Sequence, residues 1–215
     1  LKAGGVLLSL EKLRGIVAAD PQTRRIRVLG GTRLFDLNDA LAAMGYGLSN
    51  LGSIDQQSVA GVVSTATHGT GIRFGNLSTQ VTALTFVDGT GEIHRVTEAD
   101  GDLLAAMRCG LGSLGVITEV TLQCEAAFNL RGIEEKWPID KALDALPDLI
   151  AAHEHFKLWW LPHTSTGIVF KQDRTPEPAQ PKPMQSWLRN HFLKNHVFRT
   201  GMAAASRVSG GVPAF

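Results

Sequence analysis

Several features that would settle a protein's class at a glance are scarce or missing here. There are only 2 cysteines in 215 residues. A disulfide-stapled scaffold carries more, so Cys109 and Cys124, both in apolar surroundings, are expected to be buried thiols of a reducing compartment. No stretch reaches the roughly eighteen apolar residues of a membrane-spanning helix. The net charge is only +1, which gives no whole-chain field toward nucleic acid or membrane. G-x-x-x-x-G-K-[ST] does not occur, which excludes a P-loop. No G-x-G-x-x-G lies between a strand and a helix with an acidic residue about twenty positions on, as a Rossmann site needs; the glycines of "GLGSLG" stand before a strand. The opening "LKAGGVLLSL" has neither Met nor a signal-peptide pattern. The ending "GGVPAF" shows no terminal element, and the expectation is a piece of a longer protein.

With 44% hydrophobic and 19% charged residues, the chain suits a soluble globular protein with a core. Its length allows one large domain or two small ones. "RRIRVLGG" reads as a strand ending on a Gly-Gly turn. "TRLFDLNDALAAMG" reads as a helix: Thr32 is the expected N-cap, Leu34, Leu37, Leu41 and Met44 recur at helical spacing, and Gly45 follows the last turn. "TQVTALTFVDGTGEIHRV" is a strand covered on both faces, then a hairpin turn at "DGTG". "DGDLLAAMRCG" is a short helix. In "VITEVTLQC", Val120, Leu122 and Cys124 alternate with Glu119, Thr121 and Gln123, a strand with one wet face.

The texture changes near residue 126. "IDKALDALPDLIAAHEHF" is helical in pattern until Pro147 interrupts it. "KLWWLPHTSTGIVFKQ" gives two extended pieces around a Pro turn, and "DRTPEPAQPKP" a polar loop. "MQSWLRNHFLKNHVFRTGMAAASRV" has an amphipathic helical pattern. The fold class is therefore mixed α+β, with one domain over residues 1–126 and the beginning of another over 127–215.

The most informative segment is "NLGSIDQQSVAGVVSTATHGTGIRFGN", Asn50 to Asn76. Glycine lets another molecule touch the main chain, and successive N–H groups in glycine turns form anion-binding nests. Ser53, Ser58, Ser64, Thr65, Thr67 and Thr70 add neutral donors, with Arg73 as a nearby cation. The alternation of small and apolar residues in "SVAGVVSTATHG" predicts a buried extended path. Buried hydroxyls must find partners, and an internal ligand supplies them. The segment is expected to cradle a diphosphate.

"NLGSIDQQSVAGVVSTATHGTG" followed by "GLGSLGVITEVTLQC" resembles the sugar-1,4-lactone oxidase family, whose FAD-binding domain is of the vanillyl-alcohol-oxidase (PCMH) type. "HEHFKLWWLPHT" and "DRTPEP" resemble the opening of that family's lactone-oxidase domain. The resemblance implies the C-terminal portion of a PCMH-type FAD-binding domain followed by the start of an α+β substrate domain. It implies FAD as cofactor, with contacts at Ser53, Ser58, Gly61, Thr65, Ala66, Thr67 and His68, and main-chain contact at Val116 or Ile117. It puts Gly52 near the reactive face of the flavin, where a glycine leaves room for oxygen. It implies oxidation of a CH–OH group of a gulono-, galactono- or arabinonolactone, with electrons passing to oxygen or another acceptor. A related activity on alditols and a degenerate, non-catalytic nucleotide- or sugar-binding module are the alternatives. The family's flavin-linking histidine has no counterpart in "KAGGVLL", and no catalytic base is assigned within the chain.

His153, Glu154 and His155 are consecutive and cannot all face one ion, so no metal site is expected. Trp159 or Trp160 is expected to pack in a core, with stacking on a sugar as the alternative, and His163 is a candidate polar pocket group. Basic residues outnumber acidic ones from Lys171 to Arg207. A solvated helix packed on the rest of the protein is the preferred reading there, and membrane association the alternative.

Overall fold

Alternation in β2 anchors the first sheet. In β1 (Ile16–Asp20) every residue is exposed, whereas in β2 (Arg25–Leu29) Ile26 and Val28 are fully buried and Arg25 and Arg27 are not. The computed structural model describes residues 6–179 and residue 200. The chain forms two compact units, Leu1–Phe128 and Asn129–Phe215.

The first unit continues with α1 (Leu34–Ala43), β3 (Tyr46–Gly47), α2 (Val59–Ser64), a 3-10 turn at Leu77–Gln80, β4 (Val81–Val87), β5 (Ile93–Thr97), α3 (Gly101–Arg108), β6 (Val116–Gln123) and β7 (Glu125–Ala126). Five strands form an antiparallel sheet in the order β1-β2-β6-β4-β5. Ile26 opposes Leu122, and Val28 opposes Val120, which opposes Leu84 in turn. All of these are buried and belong to one hydrophobic cluster. The wet face carries Arg25–Glu98 at 2.7 Å and Arg27–Glu119 at 3.3 Å. Val81 to Leu84 are buried without alternation, because β4 is covered on both faces.

Helix α1 buries Leu34, Leu37 and Leu41 and closes onto Gly45 at φ +74°, while Met44 is 37% exposed. Its N-cap is Arg33, not Thr32. The Thr32 hydroxyl is spent instead on the turn leaving β2: it donates to the Leu29 carbonyl at 2.7 Å and accepts the Gly15 N–H at 3.0 Å. The segment "SVAGVV" is helical, not the extended path expected from its alternation. Ser58 caps α2 by accepting the Gly61 N–H at 3.3 Å. Val59, Val62 and Val63 are all fully buried at helical spacing. Valine and glycine are weak helix formers, so core burial overrides local preference here. Of the cysteines, Cys124 is buried as expected, but Cys109 is exposed, because it follows the last turn of α3 at the edge of a glycine loop.

The second unit holds β8 (Asn129–Pro138), α4 (Ile139–Asp144), α5 (Leu146–Ala152), β9 (His155–Trp160) and β10 (Thr166–Thr175). Its sheet is antiparallel in the order β8-β10-β9. Ala142, Leu149 and Val169 form its small core, with Trp137, Phe156 and Leu158 packed against it. Pro147 does not end a helix. The break falls at Ala145, and Pro147 sits in the first turn of α5, where its missing N–H costs nothing. Trp159 and Trp160 are half exposed, at 53% and 50%, contrary to the core placement expected for one of them. Trp159 meets Phe170 edge-on at 5.5 Å, and the Trp160 indole donates to the Thr164 carbonyl at 2.9 Å. The region 181–207, with its basic amphipathic pattern, lies outside the described residues apart from residue 200.

Candidate cofactor site

Helix α2 and the start of β6 enclose the site. A cavity of about 500 Å³ lies between them, closed on one side by residues 7–10. Ser58, Ala60, Gly61 and Ser64 line it from α2, Gly112 and Gly115 from the second glycine turn, and Val116 and Ile117 from β6. Close backbone approach creates this geometry. A Cβ on Gly30 would stand 2.5 Å from the Ile117 carbonyl oxygen, and the Gly30 N–H donates to the Thr118 carbonyl at 2.7 Å. Gly115 adopts φ +144°, and a side chain there would run into the Val87 carbonyl. On α2 the missing side chain of Gly61 would meet only Ser58 Oγ, at 3.1 Å. The helix therefore presents bare backbone to the cavity.

Five of the residues singled out from the sequence, Ser58, Gly61, Ser64, Val116 and Ile117, line this cavity. Thr65, Ala66, Thr67 and His68 follow from the C-terminal end of α2. Thr65 donates its hydroxyl to the Gly61 carbonyl at 2.9 Å and lies 3.4 Å from the Thr67 hydroxyl. Ala66 turns the chain in the left-handed region, at φ +52°. His68 is exposed, with Nδ1 2.9 Å from the Gly69 carbonyl oxygen. Gly52 belongs to this second group, since a Cβ on it would lie 3.1 Å from Thr67 Cγ2 and 3.5 Å from the His68 carbonyl oxygen. Ser53 is exposed beside it.

Within the segment Asn50 to Asn76 expected to cradle a diphosphate, the stretch from Val59 to Thr67 offers no anion nest. The amides of Val59, Ala60, Val62, Thr65, Ala66 and Thr67 donate to chain carbonyls, and that of Gly61 to the Ser58 hydroxyl. Val59 and Ala60 donate to the Thr32 and Gly30 carbonyls of the turn after β2, and the helix itself takes the rest. Among the described residues, the cavity lining holds no ionisable side chain, and Arg73 is exposed in the loop closed by the Phe74 N–H to Gly71 carbonyl bond. An uncharged wall with a few hydroxyls does not compensate a diphosphate, but it accepts a flat, neutral ring system. The residues present thus fit the isoalloxazine part of FAD. Ala60, Gly112, Gly115 and residues 7–10 line the cavity without having been singled out. The first three signal only smallness, which every turn shares, and Leu7, Leu8 and Leu10 are residues that any core contains.

In the second unit, Asp173 accepts from His153 Nδ1 at 2.7 Å and from the Glu154 N–H at 2.8 Å, while Glu154 accepts the Arg174 N–H at 2.9 Å. His155 is buried. His163 lies in the exposed β9–β10 turn at φ +70°.

Residues 1–97 match the FAD-binding domain family, and residues 120–214 match the D-arabinono-1,4-lactone oxidase family. The chain belongs to the sugar-1,4-lactone oxidase family. Its N-terminal region is an FAD-binding domain of the PCMH type. An L-gulono-1,4-lactone dehydrogenase of Mycobacterium tuberculosis is 37% identical over 185 residues, covering 86% of this chain and 42% of that protein. An L-gulonolactone oxidase of Scyliorhinus torazame is 36% identical over 188 residues, covering 87% and 42%. This family member thus spans about two fifths of the length of those relatives. Its fold is shared with cholesterol oxidase from Brevibacterium sterolicum, with a TM-score of 0.70 at 19% identity over 83% of this chain and 40% of that one. It is shared too with 6-hydroxy-D-nicotine oxidase from Arthrobacter nicotinovorans, with a TM-score of 0.67 at 20% identity over 81% and 41%.

Proposed function

We propose that the chain is part of an FAD-dependent oxidoreductase that oxidises a CH–OH group of a sugar-1,4-lactone. The unit Leu1–Phe128 holds the cofactor, and the unit Asn129–Phe215 begins the substrate domain. The observation carrying this reading is the neutral cavity of small and apolar residues between α2 and β6, in a chain whose first 97 residues match FAD-binding domains. Bound FAD supplies a two-electron acceptor for the hydride of the carbinol carbon. The chain's own part is placement: Ser58 and Gly61 offer a hydroxyl and bare backbone, Val116 and Ile117 an apolar edge, and Thr65, Thr67 and His68 a hydroxyl- and imidazole-bearing rim. Gulono-, galactono- and arabinonolactone are the substrates to test, because relatives named for gulono- and arabinonolactone match at comparable identity.

The test is optical. The purified protein carrying this chain is expected to show the absorption bands of oxidised flavin, either as isolated or after incubation with FAD. Anaerobic addition of one of the three lactones is expected to bleach them. A protein that takes up no FAD, or one whose flavin stays oxidised with all three lactones and with alditols, overturns the reading.

A further inference from the structure

Two side-chain amides are buried in the first unit, Asn50 at 5% exposure and Gln80 at 8%. Gln80 ends the 3-10 turn before β4. Its Oε1 accepts the Ser49 N–H at 3.1 Å, and its Nε2 donates to the Asn50 carbonyl at 3.1 Å. A donor and an acceptor presented this way are what a neighbouring strand would offer, and residues 49–53 belong to no strand. Asn50 continues the connection: its Nδ2 donates to the Gly75 carbonyl at 3.2 Å. Its Oδ1 occupies the space that a Cβ on Gly69 would need. Downstream along the same segment, Gly52 lies against Thr67 and His68. Burying two amides is unfavourable unless their polar atoms are paired. Among the described residues no buried side-chain nitrogen or oxygen lacks a partner.

The geometry points to Gln80 as a positioning residue for the flavin, acting through the segment 49–53 to set Gly52 against Thr67 and His68. It rests on the FAD reading above. A residue that merely filled the core would affect folding and leave cofactor affinity unchanged in the folded fraction. A clamp on the rim loops affects affinity in protein that is still folded.

Three variants separate these roles: Gln80→Met, which keeps length and removes both hydrogen bonds; Gln80→Glu; and Leu84→Ala, a core truncation in β4 as the control. FAD affinity is read by flavin fluorescence titration, and folding by the thermal midpoint without cofactor. Gln80→Met is expected to weaken FAD binding by about tenfold or more, the scale of a lost buried hydrogen bond. Leu84→Ala is expected to lower the midpoint with affinity within about twofold of wild type, where ~0.4 kcal/mol separates them. Gln80→Glu adds a rescue. As a carboxylate it repels the Asn50 carbonyl, and as a carboxylic acid it donates to it, so its affinity is expected to recover as pH falls from about 8 to about 5. That result must be read relative to wild type at each pH. Wild-type affinity in Gln80→Met, a loss no larger than in Leu84→Ala at equal destabilisation, or a Gln80→Glu response parallel to wild type overturns the clamp alone. A wild-type protein that binds no FAD overturns the cofactor reading, and the clamp with it. Should Gln80→Met not fold, the pH response of Gln80→Glu decides the matter.

Discussion

Ser78 donates its hydroxyl to the Val63 carbonyl at 2.7 Å, and both residues are buried. This bond fastens the last turn of α2 to the 3-10 turn before β4, just where Thr65 to His68 leave the helix. Ser78→Ala strands that carbonyl with only the long contact from the Ala66 N–H, at 3.5 Å. The expected loss is about 1–2 kcal/mol of stability, read as a lower urea midpoint, with FAD affinity falling as the rim loosens.

Ala66 is a non-glycine residue at φ +52°. Left-handed backbone costs an L-residue roughly 1–2 kcal/mol, and glycine gives back roughly 0.4–1 kcal/mol through the unfolded chain. Ala66→Gly is therefore expected to raise stability by about 0.5 kcal/mol, with FAD binding retained. A clear fall in the urea midpoint would show that the alanine methyl makes a packing contact worth more than the strain.

Gly69 leaves no room for a side chain, since a Cβ there would collide with Asn50 Oδ1 and the Leu51 carbonyl. Gly69→Ala is expected to cost about 2 kcal/mol or more and to abolish tight FAD binding. The informative control is Gly89→Ala, whose added Cβ meets nothing within 4 Å. It is expected to leave flavin content unchanged.

Gly52→Ala places a methyl in the gap facing Thr67 and His68. If that gap admits oxygen to the flavin, stopped-flow reoxidation should slow by about tenfold, ~1.4 kcal/mol of barrier. Reduction by the lactone should change less. Equal reoxidation rates in the two proteins would end the oxygen-access role of this position.

Asp173 shares the pH dependence of the second unit with Glu135, whose carboxyl is held low by its bonds to Lys171 and Trp137. Burial pushes the Asp173 carboxyl upward, but the Glu154 N–H, the His153 ring and the charges of His153 and His155 outweigh that, and it lies below the usual aspartate value. A depressed carboxyl stabilises the fold above its unfolded pKa, and that contribution is lost as pH falls through the unfolded and then the folded value. Asp173→Asn is expected to cost about 1 kcal/mol at neutral pH, modest because the side chain is 43% exposed. It should also flatten the acid limb below about pH 4. Chemical denaturation across pH checks both. At the alkaline end, burial pushes the Cys124 thiol up to about 11. The unfolded chain therefore ionises first, and stability is expected to fall as pH rises past about 9.

Periodic signals survived folding where one face of an element does the packing. Ile26 and Val28 in β2, Leu34, Leu37 and Leu41 in α1, and Val120, Leu122 and Cys124 at and just beyond the end of β6 are all buried. Each stripe identifies its own partner surface. The glycine- and hydroxyl-rich segment could be read as a place for a ligand, since bare backbone and neutral donors have few other uses in such density. Its conformation could not. "SVAGVV" satisfies an extended pattern and a helical one equally in composition, and the pocket of core into which Val59, Val62 and Val63 fit chose the helix.

What adjacent residues can settle among themselves was legible in the chain: strand alternation, the helix stripe, the β4–β5 turn and, of the cavity wall, Ser58, Gly61, Ser64, Val116 and Ile117. What required distant segments to meet was not. The Gln80 clamp on Ser49 and Asn50 spans about thirty positions, and the cavity joins α2 to a turn about fifty residues away. Whether an amide proton is free for a ligand or already spent, as those of α2 are, depends on which carbonyls folding brings within reach. A hydrogen bond is a property of two places at once, and one stretch of chain carries only half of it.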